Sequence, residues 1–176
     1  MSDSTGDVFW GLPDELLLRA HDALGRRARY WRNELGLGLA SAVLLELAWS
    51  GRIGFDPGAV PGRVLLRDLT KAVDPVADML LQLIALARRA RSAEHWIGST
   101  GRTVLIEVQT RIVSQGTVQP APCCRLPDRE EAALRALLGA MTGKAARTEQ
   151  EDPATELVSS ALRLAVTGAK SQICLP

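Results

Sequence analysis

The sequence predicts an all-α protein, a single globular domain around a buried central helix, with a minor β-hairpin. Three observations lead there. Hydrophobic residues fill 47% of the 176 positions while aromatics make up only 4%, so the core is built from Leu, Ala, Val and Ile. Leu and Ala are also strong helix formers. The second observation is the stretch Tyr30 to Phe55, YWRNELGLGLASAVLLELAWSGRIGF. From Leu35 to Trp49 its only exceptions to apolar character are Gly36, Gly38, Ser41 and Glu46. A surface helix carries one apolar stripe and one polar face; this run is apolar most of the way round and reads as a helix wrapped by others. The third is a series of apolar stripes at helical spacing, punctuated by Gly and Pro.

The elements follow in order. Residues 1–11 are polar and form a flexible N-terminus. LPDE places Pro and two acids in a first helical turn, and Leu16, Leu17, Ala20 and Leu24 continue it, with Gly25 as the stop. Arg26 to Trp31 is a connector or a second short turn. The central helix ends at Ser50-Gly51. Asp56-Pro57-Gly58 and Pro61-Gly62 supply turn chemistry between two short strands. Asp74-Pro75 opens a helix over roughly Val76 to Arg91, whose last turn would place Arg88, Arg89 and Arg91 at the negative end of the helix dipole. Ser92 to Ile97 is read as a short helix and Gly98-Ser-Thr-Gly101 as a loop. Arg102 to Gln115 follows as a helix with Val104, Leu105, Val108 and Ile112 inward. Thr117 to Leu126, broken by Pro120 and Pro122, is a loop or irregular hairpin. Asp128 to Met141 is an amphipathic helix with its acids first, and Lys144 to Asp152 is a polar link. Pro153 to Val166 is the last helix, so the domain spans 12–166, with a frayed tail over 167–176.

Composition also excludes classes. A net charge of +1 and a pI of about 7.8 do not describe a general nucleic-acid binder. Three cysteines, Cys123, Cys124 and Cys174, give neither a metal-ligand spacing nor an even disulfide set, which favours a reducing cytoplasm. The N-terminus is no secretory signal, and no run of 18 apolar residues exists, so any membrane contact is peripheral. His21 and His95 lack the partners of a metal or catalytic motif, Gly36-x-Gly38 is no dinucleotide fingerprint, and no serine sits in a nucleophile elbow. No catalytic residue, metal ligand or cofactor is assigned. Glu46 has two readings: a catalytic acid with a raised pKa, or an internal salt bridge or hydrogen bond to a neighbouring loop. Gly98 to Arg102 has the character of an anion-binding helix start, or of an ordinary loop. Trp31, beside Arg29 and Arg32, suits a membrane interface or a core edge. The arginines at 26–32 and 88–91 are solvated surface unless they share a face, in which case they hold an anionic bilayer.

Several motifs together resemble the Golgi phosphoprotein 3 family in a bacterial branch. They are DELLL at Asp14 to Leu18, D-x-x-G at Asp22 to Gly25, Trp31, LLELAWSGRI at Leu44 to Ile53, DPVADMLLQL at Asp74 to Leu83, HWI at His95 to Ile97 and RIVSQG at Arg111 to Gly116. The resemblance implies a helical, non-enzymatic, peripheral membrane protein that recognises phosphatidylinositol 4-phosphate and acts as an adaptor for other proteins. By position, Trp31 matches the family's headgroup tryptophan and Arg102 one arginine of the later helix. Ala40 and Leu105 stand where two further arginines are expected, with Arg29 and Arg32 as candidate substitutes. The family's apolar hairpin is shortened at Thr117 to Leu126. The chain also ends at Pro176, ahead of the family's last helices, which implies a trimmed domain or an exposed edge that packs on a partner. The expected partners are thus an anionic membrane phospholipid and possibly a protein, with no nucleic acid. The alternative is a protein-interaction module of the same fold that has lost specific lipid binding.

Overall fold

The computed structural model describes residues 11–24, 32–56, 58, 62–114, 127–143 and 152–173, with 21–24, 32 and 169–173 described as backbone only. Among the described residues there are six helices: α1 (Leu12–Leu24), α2 (Arg32–Trp49), α3 (Pro75–Leu86), α4 (Ala93–Ser114), α5 (Asp128–Thr142) and α6 (Pro153–Ile173). Strands β1 (Ile53–Asp56) and β2 (Arg63–Leu66) pair antiparallel, with Ile53 opposite Leu66 and Asp56 opposite Arg63. The fold is all-α with a minor hairpin, as the composition and periodicity indicate.

Helix α2 is the axis of the domain. It packs against α1, α3, α4, α5 and α6. From Leu39 to Leu45 no residue is accessible to solvent. Ser41, polar within this run, returns its hydroxyl to the Leu37 carbonyl at 2.9 Å. The helix stops where Gly51 turns left-handed at φ 72°. The Gly51 N–H then donates to the Ala48 carbonyl and the Arg52 N–H to the Leu47 carbonyl, each at 3.0 Å. This pair of bonds satisfies carbonyls that the last turn would leave open. Beyond the stop, Trp49 donates Nε1–H to Asp152 Oδ2 at 2.8 Å, and the Arg129 guanidinium lies 4.5 Å over its ring. One aromatic residue thereby ties the end of α2 to the starts of α5 and α6.

The structure corrects the reading of residues 92–115. Two helices and a loop were expected; α4 is one unbroken helix of 22 residues through Gly98 to Gly101. The Thr100 hydroxyl bonds back to the Trp96 carbonyl at 2.7 Å, so a residue type that often opens loops is satisfied within the helix. Gly101 is there because the backbones of α2 and α4 nearly touch. A Cβ on Gly36 would lie 2.7 Å from the Gly101 carbonyl oxygen. Tertiary packing overrides the local preference for a break.

Two further boundaries move. α3 ends at Leu86, not Arg91, because Ala87 becomes extended and its N–H closes onto Ile84. The chain then runs alongside β2: the Val64 N–H donates to the Arg91 carbonyl at 2.8 Å, and Arg63 bridges Ser92. Arg88, Arg89 and Arg91 therefore lie exposed in the α3–α4 connection and do not complement a helix dipole. α6 continues through Ile173, past the expected end at Val166.

Candidate functional site

A groove of about 790 Å³ opens between the start of α2, one face of α4 and the distal part of α6. α2 contributes Asn33 and Leu37, α4 contributes Glu94, Gly98, Arg102, Leu105, Ile106 and Gln109, and α6 contributes Ala165 and Gly168. The α4 set recurs at helical spacing, so the groove follows the flank of the buried stripe Val104, Val108 and Ile112, with Leu105 at the border between the two. Its floor is apolar and its rim is polar. Arg102 supplies the cation and Glu94 the acid, while Asn33 and Gln109 offer neutral donors and acceptors. Among the described residues Arg102 is exposed and makes no hydrogen bond or ion pair, so its guanidinium fork is open to an external oxyanion. The first turn of α2 reaches the groove at Asn33, bringing the positive end of a helix dipole close by.

A second polar cluster lies in the interior. Arg111 Nη2–H meets Asp14 Oδ1 and Oδ2 at 2.7 and 2.8 Å, and Arg111 Nη1–H meets Asp74 Oδ1 at 2.6 Å. Both aspartates also serve a helix start: Asp14 Oδ2 accepts from the Gly11 N–H at 3.0 Å and Asp74 Oδ1 from the Val76 N–H at 2.8 Å. Arg111, near the end of α4, thus clamps the first turns of α1 and α3 together. Glu46 completes the cluster, its Oε1 accepting from the Leu12 N–H at 2.6 Å. Of the two readings of Glu46, the geometry supports the structural one: it is a side chain from α2 capping α1.

Burial pushes the Glu46 carboxyl up to about 7; the Leu12 N–H pulls it down, and the charges of Asp74 and Asp14 push it further up. A native pKa above the unfolded one means that the folded chain retains a proton the unfolded chain gives up. The associated stability is complete below the ordinary Glu range and is lost as pH rises through about 7. Glu46→Gln keeps an acceptor for Leu12 and removes the titration. Relative to wild type, the variant is expected to gain about 3 kcal/mol in denaturant unfolding as pH goes from about 4 to about 8. A wild-type-to-variant difference that stays flat over that range would contradict this assignment.

Residues 12–169 match the sequence model of the Golgi phosphoprotein 3 (GPP34) family. The chain belongs to the Golgi phosphoprotein 3 family. No curated protein matches it. The family match covers all six helices and the hairpin up to the last turns of α6.

Against this family frame the four headgroup candidates separate. Arg102 lines the groove. Trp31 and Arg29 lie outside the described residues, as does the side chain of Arg32, whose backbone opens α2 one residue before Asn33. Of the two positions where Golgi phosphoprotein 3 relatives are expected to carry arginine, Leu105 lines the groove and Ala40 is fully buried in the core. The anion-binding helix start read at Gly98 to Arg102 does not exist, because those residues are mid-helix and their N–H groups lie within the helical ladder. Sequence reasoning missed Asn33 and Gln109, polar residues with no motif around them. It also missed Arg111, although Arg111 follows Val104 and Val108 on the inward stripe and a charge there is a signal.

Among the described residues no helix is long and apolar enough to cross a membrane, and no cluster of three or more His, Cys, Asp or Glu is placed to hold a metal.

Proposed function

We propose that this member of the Golgi phosphoprotein 3 family is a non-catalytic, cytoplasmic, peripheral membrane protein of a bacterial cell. Its α2–α4–α6 groove receives an anionic phospholipid headgroup of the phosphatidylinositol 4-phosphate type, and lipid binding serves an adaptor role. The observation that carries the reading is Arg102: an exposed guanidinium without a partner among the described residues, on the rim of the α2–α4–α6 groove, at the position matching a family headgroup arginine. Trp31, Arg29 and Arg32 remain the further headgroup candidates that the resemblance implies; Trp31 and Arg32 directly precede Asn33 in the sequence. The Asp14–Asp74–Arg111 ion pairs support the non-catalytic part of the reading, since these buried charges are committed to helix starts.

A second reading is favoured by Ala40 and Leu105. With two expected cations missing, the same groove serves a protein partner rather than a lipid.

Sedimentation with liposomes separates the two. The chain is expected to pellet with vesicles containing phosphatidylglycerol or phosphatidylinositol 4-phosphate, not with neutral vesicles, and less at high salt. Arg102→Glu, an exposed substitution, is expected to lower the apparent affinity about tenfold or more. Equal binding by wild type and Arg102→Glu would contradict the groove as the lipid site.

A further inference from the structure

A different face of the molecule carries an unpartnered combination of charge and apolar surface. On β2 and the segment after it, Leu65 and Leu66 are each 41% exposed and Leu69 is 49% exposed; at the end of α3, Leu86 is 78% exposed. A crevice of about 200 Å³ is lined by Leu65 and Leu66 on one side and Ala87, Arg89 and Arg91 on the other, so the hairpin and the α3–α4 connection form one continuous surface. Cations are interleaved with the leucines. Residues 63–91 hold six cations against three acids, in a chain whose net charge is only +1. Of the acids, Asp74 is committed to Arg111 and to the start of α3, and Asp78 accepts from the Ala72 N–H. Arg63, Arg67, Lys71, Arg88, Arg89 and Arg91 are all exposed, and none forms an ion pair among the described residues.

We propose that this hairpin face is a second membrane contact, in which Leu65, Leu66 and Leu86 enter the interfacial layer of an anionic bilayer while the surrounding arginines meet its phosphates. The choice of a bilayer follows from shape and charge. The leucines are spread over an open surface, and such side chains enter a fluid interface without needing a matching pocket. Arginine stems lie along apolar surface while their heads reach phosphate. The excess of unpaired cations complements an anionic lipid surface. The proposal shares its partner with the lipid reading above but rests on different residues.

The test uses the full chain with Cys123, Cys124 and Cys174 replaced by serine and Leu86→Cys labelled with an environment-sensitive fluorophore. Mixing with phosphatidylglycerol vesicles at low salt is expected to blue-shift and brighten the probe. The pair Leu65→Ser and Leu86→Ser is expected to lower vesicle affinity about tenfold in a chain that still melts cooperatively. Pelleting with a silent probe would overturn this proposal and leave the groove reading intact. A probe response together with wild-type binding by Arg102→Glu would do the reverse. A response to polyglutamate but not to vesicles would assign the face to an acidic polypeptide and overturn it, as would failure to pellet with any anionic vesicle.

Discussion

Arg111→Met is expected to cost about 3–5 kcal/mol, a large part of the stability of a domain of this size. The Asp14 and Asp74 side chains are each only 3% exposed, and the Arg111 side chain is 15% exposed. Taken together with Glu46, this cluster holds three carboxyl groups and one guanidinium. Removing the guanidinium leaves Asp14 and Asp74 buried without their cation, and the helix-start bonds to Gly11 and Val76 cannot replace it. Methionine fills much of the volume, so the loss is electrostatic rather than a cavity. The sign with pH follows from Asp14: burial raises its carboxyl and Arg111 pulls it down, so without Arg111 it takes up a proton more readily, and the deficit of the variant is smaller at about pH 5 than at about pH 8. Urea unfolding at both pH values checks this. A deficit under about 1 kcal/mol that does not change with pH would mean that the clamp contributes little.

Gly101→Ala is expected to destabilise by about 1–3 kcal/mol although alanine is the better helix former. The new methyl would lie 3.0 Å from the Gly36 carbonyl carbon and 3.1 Å from both the Gly36 oxygen and the Leu37 nitrogen. These are backbone atoms, so the crossing of α2 and α4 must widen and the contacts around Leu37 and Val104 loosen. Gly98→Ala is the internal control. It lies one turn earlier in the same helix, is exposed, and its Cβ would meet nothing within 4 Å. That substitution is expected to stabilise by about 0.5–1 kcal/mol. Thermal melts of the two variants should therefore move in opposite directions. A gain from both would mean that the helices can separate at no cost.

These two glycines also mark how far the sequence could be read. α1, the central helix, the hairpin and α5 follow from periodic apolar positions and local stop signals, and they stand where the pattern puts them. Gly98-Ser-Thr-Gly101 reads as a loop because each residue disfavours helix locally; only the approach of Gly36, 65 positions earlier, explains why the helix continues. α3 was overextended for a related reason: the pairing of Arg91 with Val64 that pulls the chain out of the helix is a tertiary contact. The Arg111 clamp joins residues 97 and 37 positions apart, and no local motif encodes it. Glu46 was legible as an anomaly, a charge within an apolar helix, but its partner at Leu12 was not. For the groove, the resemblance points to Arg102 by position alone, while Asn33 and Gln109 enter only through the packing of α2 against α4.

The central claim is that the groove around Arg102 is the lipid-headgroup site. Its most direct test is a nitrogen-15 amide NMR titration with short-chain phosphatidylinositol 4-phosphate and phosphatidylglycerol, kept below micelle formation. The account predicts saturable shifts concentrated on Asn33, Gly98, Arg102, Gln109 and Gly168, and their loss in Arg102→Glu. Shifts that are absent, or that persist unchanged in Arg102→Glu, would contradict it.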